Sequence, residues 1–155
     1  MLITTFALAL AFLLAGFLAV APATARAANC TVSTRTMAFG NYNPFNAAAH
    51  NRAPVVIVAV CTGRGRLTAA LSTGQSNSYI NRYMTSPTTS DQLNYQLYTS
   101  ATHTTIWGDG SGATAVVTRN FRNNTLRLRA FGQIPAMENI TAGKYSDLIT
   151  ATVTF

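Results

Sequence analysis

Apolar and polar residues alternate along most of the chain beyond residue 55. Leu67, Ala69 and Leu71 interleave with Arg66, Thr68 and Ser72; Leu93, Tyr95 and Leu97 with Asn94, Gln96 and Tyr98; Leu126, Leu128 and Ala130 with Arg127, Arg129 and Phe131. A period of two gives a strand one dry and one wet face. Residues 55–61 are apolar at almost every position, which predicts a central strand buried on both faces. The last segment alternates most cleanly. Tyr145, Asp147, Ile149, Ala151, Val153 and Phe155 share one face, and Ser146, Leu148, Thr150, Thr152 and Thr154 share the other. Turn-rich pieces rich in Gly, Asn, Ser and Asp lie between these runs, near residues 40–44, 63–65, 72–78, 108–112 and 142–143. Short strands at regular turn intervals predict an all-β sandwich rather than an α/β fold. Ala47, Ala48 and Ala49 could add one helical turn in a connection.

The first 22 residues break this pattern. They are almost continuously apolar and run into the small residues Ala23, Ala25, Ala27 and Ala28. That order matches the apolar core and A-x-A cleavage site of an export signal. The expected division is a signal peptide over 1–27 and one domain over 28–155, with cleavage one turn earlier as the alternative. No Lys or Arg precedes the apolar core, so the usual positive region is missing. The run is also long enough to span a bilayer, but the cleavage-like residues argue for removal and for no stable membrane span afterwards.

Export decides how the cysteines are read. Cys30 and Cys61 form an even pair, and an even pair in an exported chain is by default a disulfide. Closing a loop of that length stabilises by roughly 3–4 kcal/mol in the chain-entropy treatment. A metal site is not expected, because His50 and His103 lie far from both cysteines with nothing like zinc-ligand spacing.

Charge adds one open question. Eleven basic residues face four acids, for a formal net charge of +7. Such a balance attracts nucleic acid, anionic lipid or acidic polysaccharide. The arginines are dispersed and export removes the chain from most nucleic acid, so the reading is a solvated surface, with contact to an acidic glycan or abiotic surface as the alternative.

Catalysis finds little support. No G-x-S-x-G occurs. His50 and His103 read as solvated loop residues, Asp109 between Gly108 and Gly110 as a turn former, Asp147 as a structural hydrogen-bonding residue and Trp107 as a core residue. Tyr42, Tyr79, Tyr83 and Phe121 fall in or near expected loops, where exposed aromatics could form an adhesive patch. No catalytic residue and no cofactor is expected.

Several segments together resemble one family. Cys30, Thr31, Val32 and Ser33 lead into Met37, Phe39, Gly40, Tyr42 and Pro44; then come Val58 to Cys61, Leu93 to Tyr98, and Thr105 to Gly110. Phe131 to Pro135 and Gly143 to Asp147 follow, before the alternating end. In order and spacing these resemble the spore coat protein U domain and archaic chaperone-usher pilin family, across nearly all of residues 28–155.

The resemblance implies an immunoglobulin-like sandwich lacking its final strand, whose open groove is filled first by a periplasmic chaperone and later by a donor strand from a neighbouring subunit. Strand addition of this kind takes affinity from main-chain hydrogen bonds and specificity from alternate side chains. It implies an outer-membrane usher and other pilus subunits as partners, passage through the periplasm to the cell surface, and a role in attachment and biofilm formation, with a coat component or a self-contained secreted binding protein as alternatives. The groove is expected to be bounded by Ile149, Ala151, Val153 and Phe155, since an uncovered alternating edge templates further strands. Polymerising pilins carry a donor segment before the first cysteine. Cleavage after Ala27 would leave only Ala28 and Asn29, which predicts a subunit that accepts a strand without supplying one, as at a fibre tip.

Overall fold

The computed structural model describes residues 27–155; the expected signal peptide lies outside them but for Ala27. Ten strands follow in order: β1 (Asn29–Ser33), β2 (His50–Thr62), β3 (Arg64–Leu71), β4 (Arg82–Thr85), β5 (Gln92–Tyr98), β6 (Ile106–Trp107), β7 (Thr114–Ala115), β8 (Val117–Arg122), β9 (Thr125–Ile134) and β10 (Ala151–Thr154). One 3-10 turn, Gly74–Ser76, is the only helical element among the described residues. No helix among them is long and apolar enough to cross a membrane.

Two sheets stack. The larger runs β1-β2-β9-β5-β6-β7, with β4 also paired to β5; the smaller runs β10-β3-β8. The alternation predicted from sequence is the burial pattern observed. Leu67, Ala69 and Leu71 on one sheet meet Leu93, Tyr95, Leu97, Leu126 and Leu128 on the other, and all are buried. Trp107 seals this core with no exposed surface, donating its indole N–H to the carbonyl of Ala69 at 2.9 Å.

The apolar run of β2 needs correction. Ile57, Ala59 and Cys61 point into the core, but Val56, Val58 and Val60 line the opposite face, where Val60 is 52% exposed. Two sheets leave β2 covered on one side only, so central position in a sheet does not bring burial of both faces. Between Arg52 and Val55 the register with β9 slips at Pro54, which has no N–H to give a ladder.

Cys30 lies directly opposite Cys61 across β1 and β2, and the two are disulfide-bonded. The closing strand is shorter than its alternation suggested. Its ladder with β3 covers β10 alone; before it the chain touches β4 through a single bridge, Ser146 to Thr85, and residues 147–150 run without a ladder. The run therefore passes from the edge of the large sheet to the edge of the small one.

Candidate functional site

Where that crossing occurs the two sheets do not meet. A groove of about 1220 Å³ opens between residues 34–42, which follow β1, and residues 140–149, which precede β10. Its floor is the core itself, including Ile57, Leu71, Met84, Leu93, Leu97 and Ile134. These floor side chains are all buried, so the groove opens above them between its two banks rather than baring them to solvent.

Each bank is held in place on its outer side. On the near bank Met37 and Phe39 turn inward over Gly132, where a Cβ would press on the Met37 sulfur and lie 2.7 Å from the Phe39 ring, so any larger residue makes those side chains shift. Phe39 meets the Tyr95 ring edge-on at 5.9 Å, and its carbonyl lies 2.7 Å from His50 Nε2. Tyr42 donates its hydroxyl to the carbonyl of Pro135 and accepts from the N–H of Glu138, both at 2.8 Å. The tyrosine that the sequence offered for an adhesive patch is thus a clip for this bank.

The far bank is tied down through Asp147. Its carboxylate accepts from the Tyr95 hydroxyl at 2.6 Å and from the Gln75 N–H at 3.0 Å, and sits against Gly74, whose φ of +69° no other residue adopts easily. Burial first, and then donation to Asp147, hold the Tyr95 phenol far above its ordinary range, so it remains a proton donor. Thr150 makes two bonds to Ser72, donating its N–H to the hydroxyl and accepting at its carbonyl from the Ser72 N–H, each at 2.9 Å. In an antiparallel ladder successive residues direct their backbone groups to alternate sides. Because Ser146 and Thr150 face Thr85 and Ser72, Ile149, Ala151 and Val153 present theirs to the open side.

Of the four residues expected at this edge, Ile149 and Ala151 line the groove and pack on the core. Val153 packs on the core beyond the groove's end. Phe155 lies past the last register pair, Thr154 with Thr68, and is 50% exposed.

A residue the sequence reading passed over stands beside the far bank. Arg82 has no exposed surface. It reaches from β4 to the carbonyl of Ser72 at 2.7 and 3.2 Å, to Gln96 Oε1 at 2.6 Å and to the carbonyl of Trp107 at 2.9 Å, pinning the two sheets together beside the far bank. Burial lowers its readiness to carry charge.

The remaining candidates resolve differently. Asp109 caps its own turn through the Ser111 N–H and hydroxyl, at 2.9 and 2.6 Å. Phe121 is a core residue rather than an exposed aromatic, since it shares strand parity with Val117 and covers Gly65. His50 opens β2 rather than lying in a loop, while His103 lies in the β5–β6 loop as expected but is half-buried, edge-on against Tyr98 at 5.1 Å. Among the described residues no group of His, Cys, Asp or Glu is placed to hold a metal ion.

No curated protein matches the sequence. In fold the chain is similar to one in the solved structure of the CsuC-CsuE chaperone-tip adhesion subunit pre-assembly complex, from the archaic chaperone-usher Csu pili of Acinetobacter baumannii, with a TM-score of 0.61 and 19% identity. The match covers 83% of this chain and 40% of that one, so this chain spans well under half the length of its neighbour. The shared feature is the fold, an immunoglobulin-like sandwich. The family model for the Spore Coat Protein U domain matches residues 15–152, most of the sequence, and the chain belongs to that family.

Proposed function

We propose that this chain is a structural subunit of a chaperone-usher type surface assembly, and that its groove is the seat of an extended strand supplied by a partner. The observation that carries this reading is the size of the groove and its apolar lining. At about 1220 Å³ the groove exceeds the roughly 300–1,000 Å³ of small-molecule sites, and its walls are two edges with backbone groups to offer. The near bank spans the nine residues 34–42, at most about 30 Å at ~3.3 Å per residue, which sets an upper limit of about nine residues on the occupant's strand. Every second side chain of that occupant would enter the core, each stabilising by about 1.5–3 kcal/mol if large and apolar.

The wall assigned to the occupant is Ile149 and Ala151, with Val153 and Phe155 continuing the same edge. A periplasmic chaperone is the first occupant and a neighbouring subunit the second, with an outer-membrane usher exchanging them; the pairing of chaperone and subunit in the Csu complex supports the first step. Attachment and biofilm formation are the roles of such an assembly, and the protein is exported through the periplasm to reach it. In the finer form of this reading the subunit sits at the tip. Asn29 already opposes Thr62 in β1, so only residues ahead of it could be donated, and cleavage after Ala27 would leave almost none. N-terminal sequencing of the exported protein fixes that length, and homopolymers formed by purified protein would overturn the tip assignment.

The central test is co-expression with a cognate chaperone. The expected result is a one-to-one complex that Ile149→Asp and Ala151→Asp abolish and Val60→Asp, on the outer face, does not. A chain that is monomeric alone, unfolds cooperatively at high temperature and ignores both groove variants would instead be a self-contained binding module.

A further inference from the structure

A second concavity, at the side of the sandwich where β9 of the large sheet stands beside β8 of the small one, has a different character. β9 pairs with β5 only through Phe131, Gly132 and Gln133, because β5 ends at Tyr98 and the chain turns away through Thr99 and Ser100. The earlier half of β9 therefore has no neighbour on that side, and a notch of about 260 Å³ remains between it and β8. Arg127 and Arg129, two residues apart on the outward face of β9, line it together with Arg119 of β8, and all three are exposed.

No acid neutralises them. The four acids of the chain each accept from neutral donors elsewhere: Asp91 from Thr141, Asp109 from Ser111, Glu138 from Asn94, and Asp147 from Tyr95 and Gln75. Across the β2 ladder Arg127 and Arg129 stand opposite Val58 and Val56. Arg119 spends one N–H on the carbonyl of Thr118 at 2.8 Å and keeps the rest of its fork. Three guanidinium side chains lining one hollow without a counterion repel one another, and an external anion removes that cost.

We infer that this notch binds the anionic groups, carboxylate or sulfate, of an acidic polysaccharide. Three features select that ligand. Guanidinium forks match planar and tetrahedral oxyanions with paired hydrogen bonds. The volume is below that of a site for a whole small molecule, so it takes one charged ring projecting from something longer. Phe131 at the rim offers an aromatic face to the C–H edge of a sugar. A duplex or a bilayer presents its charge on a broad surface that so small a hollow cannot enclose.

The test measures binding of the full exported chain to polygalacturonate and to dextran sulfate, beside neutral dextran, duplex DNA and anionic phosphatidylserine vesicles, at 50 and 200 mM salt. Arg119→Gln/Arg127→Gln/Arg129→Gln is compared with Arg64→Gln/Arg66→Gln/Arg122→Gln, which removes equal charge from the outer face of the small sheet. The expected result is binding to one or both acidic polysaccharides that weakens with salt, falls at least about tenfold in the notch variant and less than about threefold in the control. Preference for polygalacturonate assigns carboxylate, and preference for dextran sulfate assigns sulfate. Equal losses in both variants, DNA or vesicles binding as tightly as the polysaccharides, or no binding at all would overturn the inference. Circular dichroism of both variants, expected to match the parent, separates lost binding from lost fold.

Discussion

Replacing Arg82 with Met removes the pin between the sheets while keeping much of its volume. Two acceptors, the carbonyls of Ser72 and Trp107, lose the donor that Arg82 gives them, while the side-chain oxygen of Gln96 keeps the N–H of Leu97 at 2.9 Å. Each buried acceptor left unpaired costs about 1–3 kcal/mol. Against this, the guanidinium no longer has to be kept charged out of water, a cost that its lowered pKa registers and that returns part of the loss. The balance is a loss of about 3 kcal/mol, or about 10 °C in Tm for a domain of this size. Urea denaturation followed by tryptophan fluorescence reads it directly, since Trp107 is one of the bonded partners. Arg82→Lys should recover about half, having donors but no fork. An Arg82→Met protein within about 1 kcal/mol of the parent would refute the reasoning, because it would mean that the two carbonyls find other partners.

Three further outcomes are expected. Replacing Cys30 and Cys61 together with Ser should cost about 3–4 kcal/mol, and alkylation of the native protein without reductant should label no thiol. Tyr95 keeps its proton when folded far above the pH at which the unfolded phenol, near 10.0, releases it. Its contribution is therefore fully present below pH 10 and declines by about 1.4 kcal/mol per pH unit above it, so alkaline denaturation should be steeper in the parent than in Tyr95→Phe. Gly132→Ala should push Met37 and Phe39 off the floor, costing about 1–3 kcal/mol and narrowing the groove, read as faster dissociation of its occupant.

Strand faces were legible from alternation because burial on one side of a sheet leaves a period-two mark, and every inward residue of β3, β5 and the first half of β9 carries it. Residues 55–61 misled because valine suits strands on either face, so an apolar outer face leaves no contrast to read. Arg82 was missed although a signal existed: it shares parity with Met84, which places it inward, but a lone arginine at an inward position reads as noise until its acceptors are known. Phe121 could have been recovered in the same way from Val117. The groove itself was legible only through family resemblance. It is formed by two segments about a hundred residues apart that fail to meet, and no local pattern encodes a missing contact.

The Cys30–Cys61 bond also determines how the fold carries tension. Cys30 is the second residue of β1, so a pull entering the domain from its N-terminal side crosses the sulfur bridge after one strand residue and passes straight to the end of β2. Everything between the two cysteines lies in a closed loop outside the load path. Residues 34–42, the near bank of the groove, belong to that loop. Stretching the chain therefore leaves the shape of that bank unstrained as long as the bridge is oxidised, and reducing it would expose the bank to the same force.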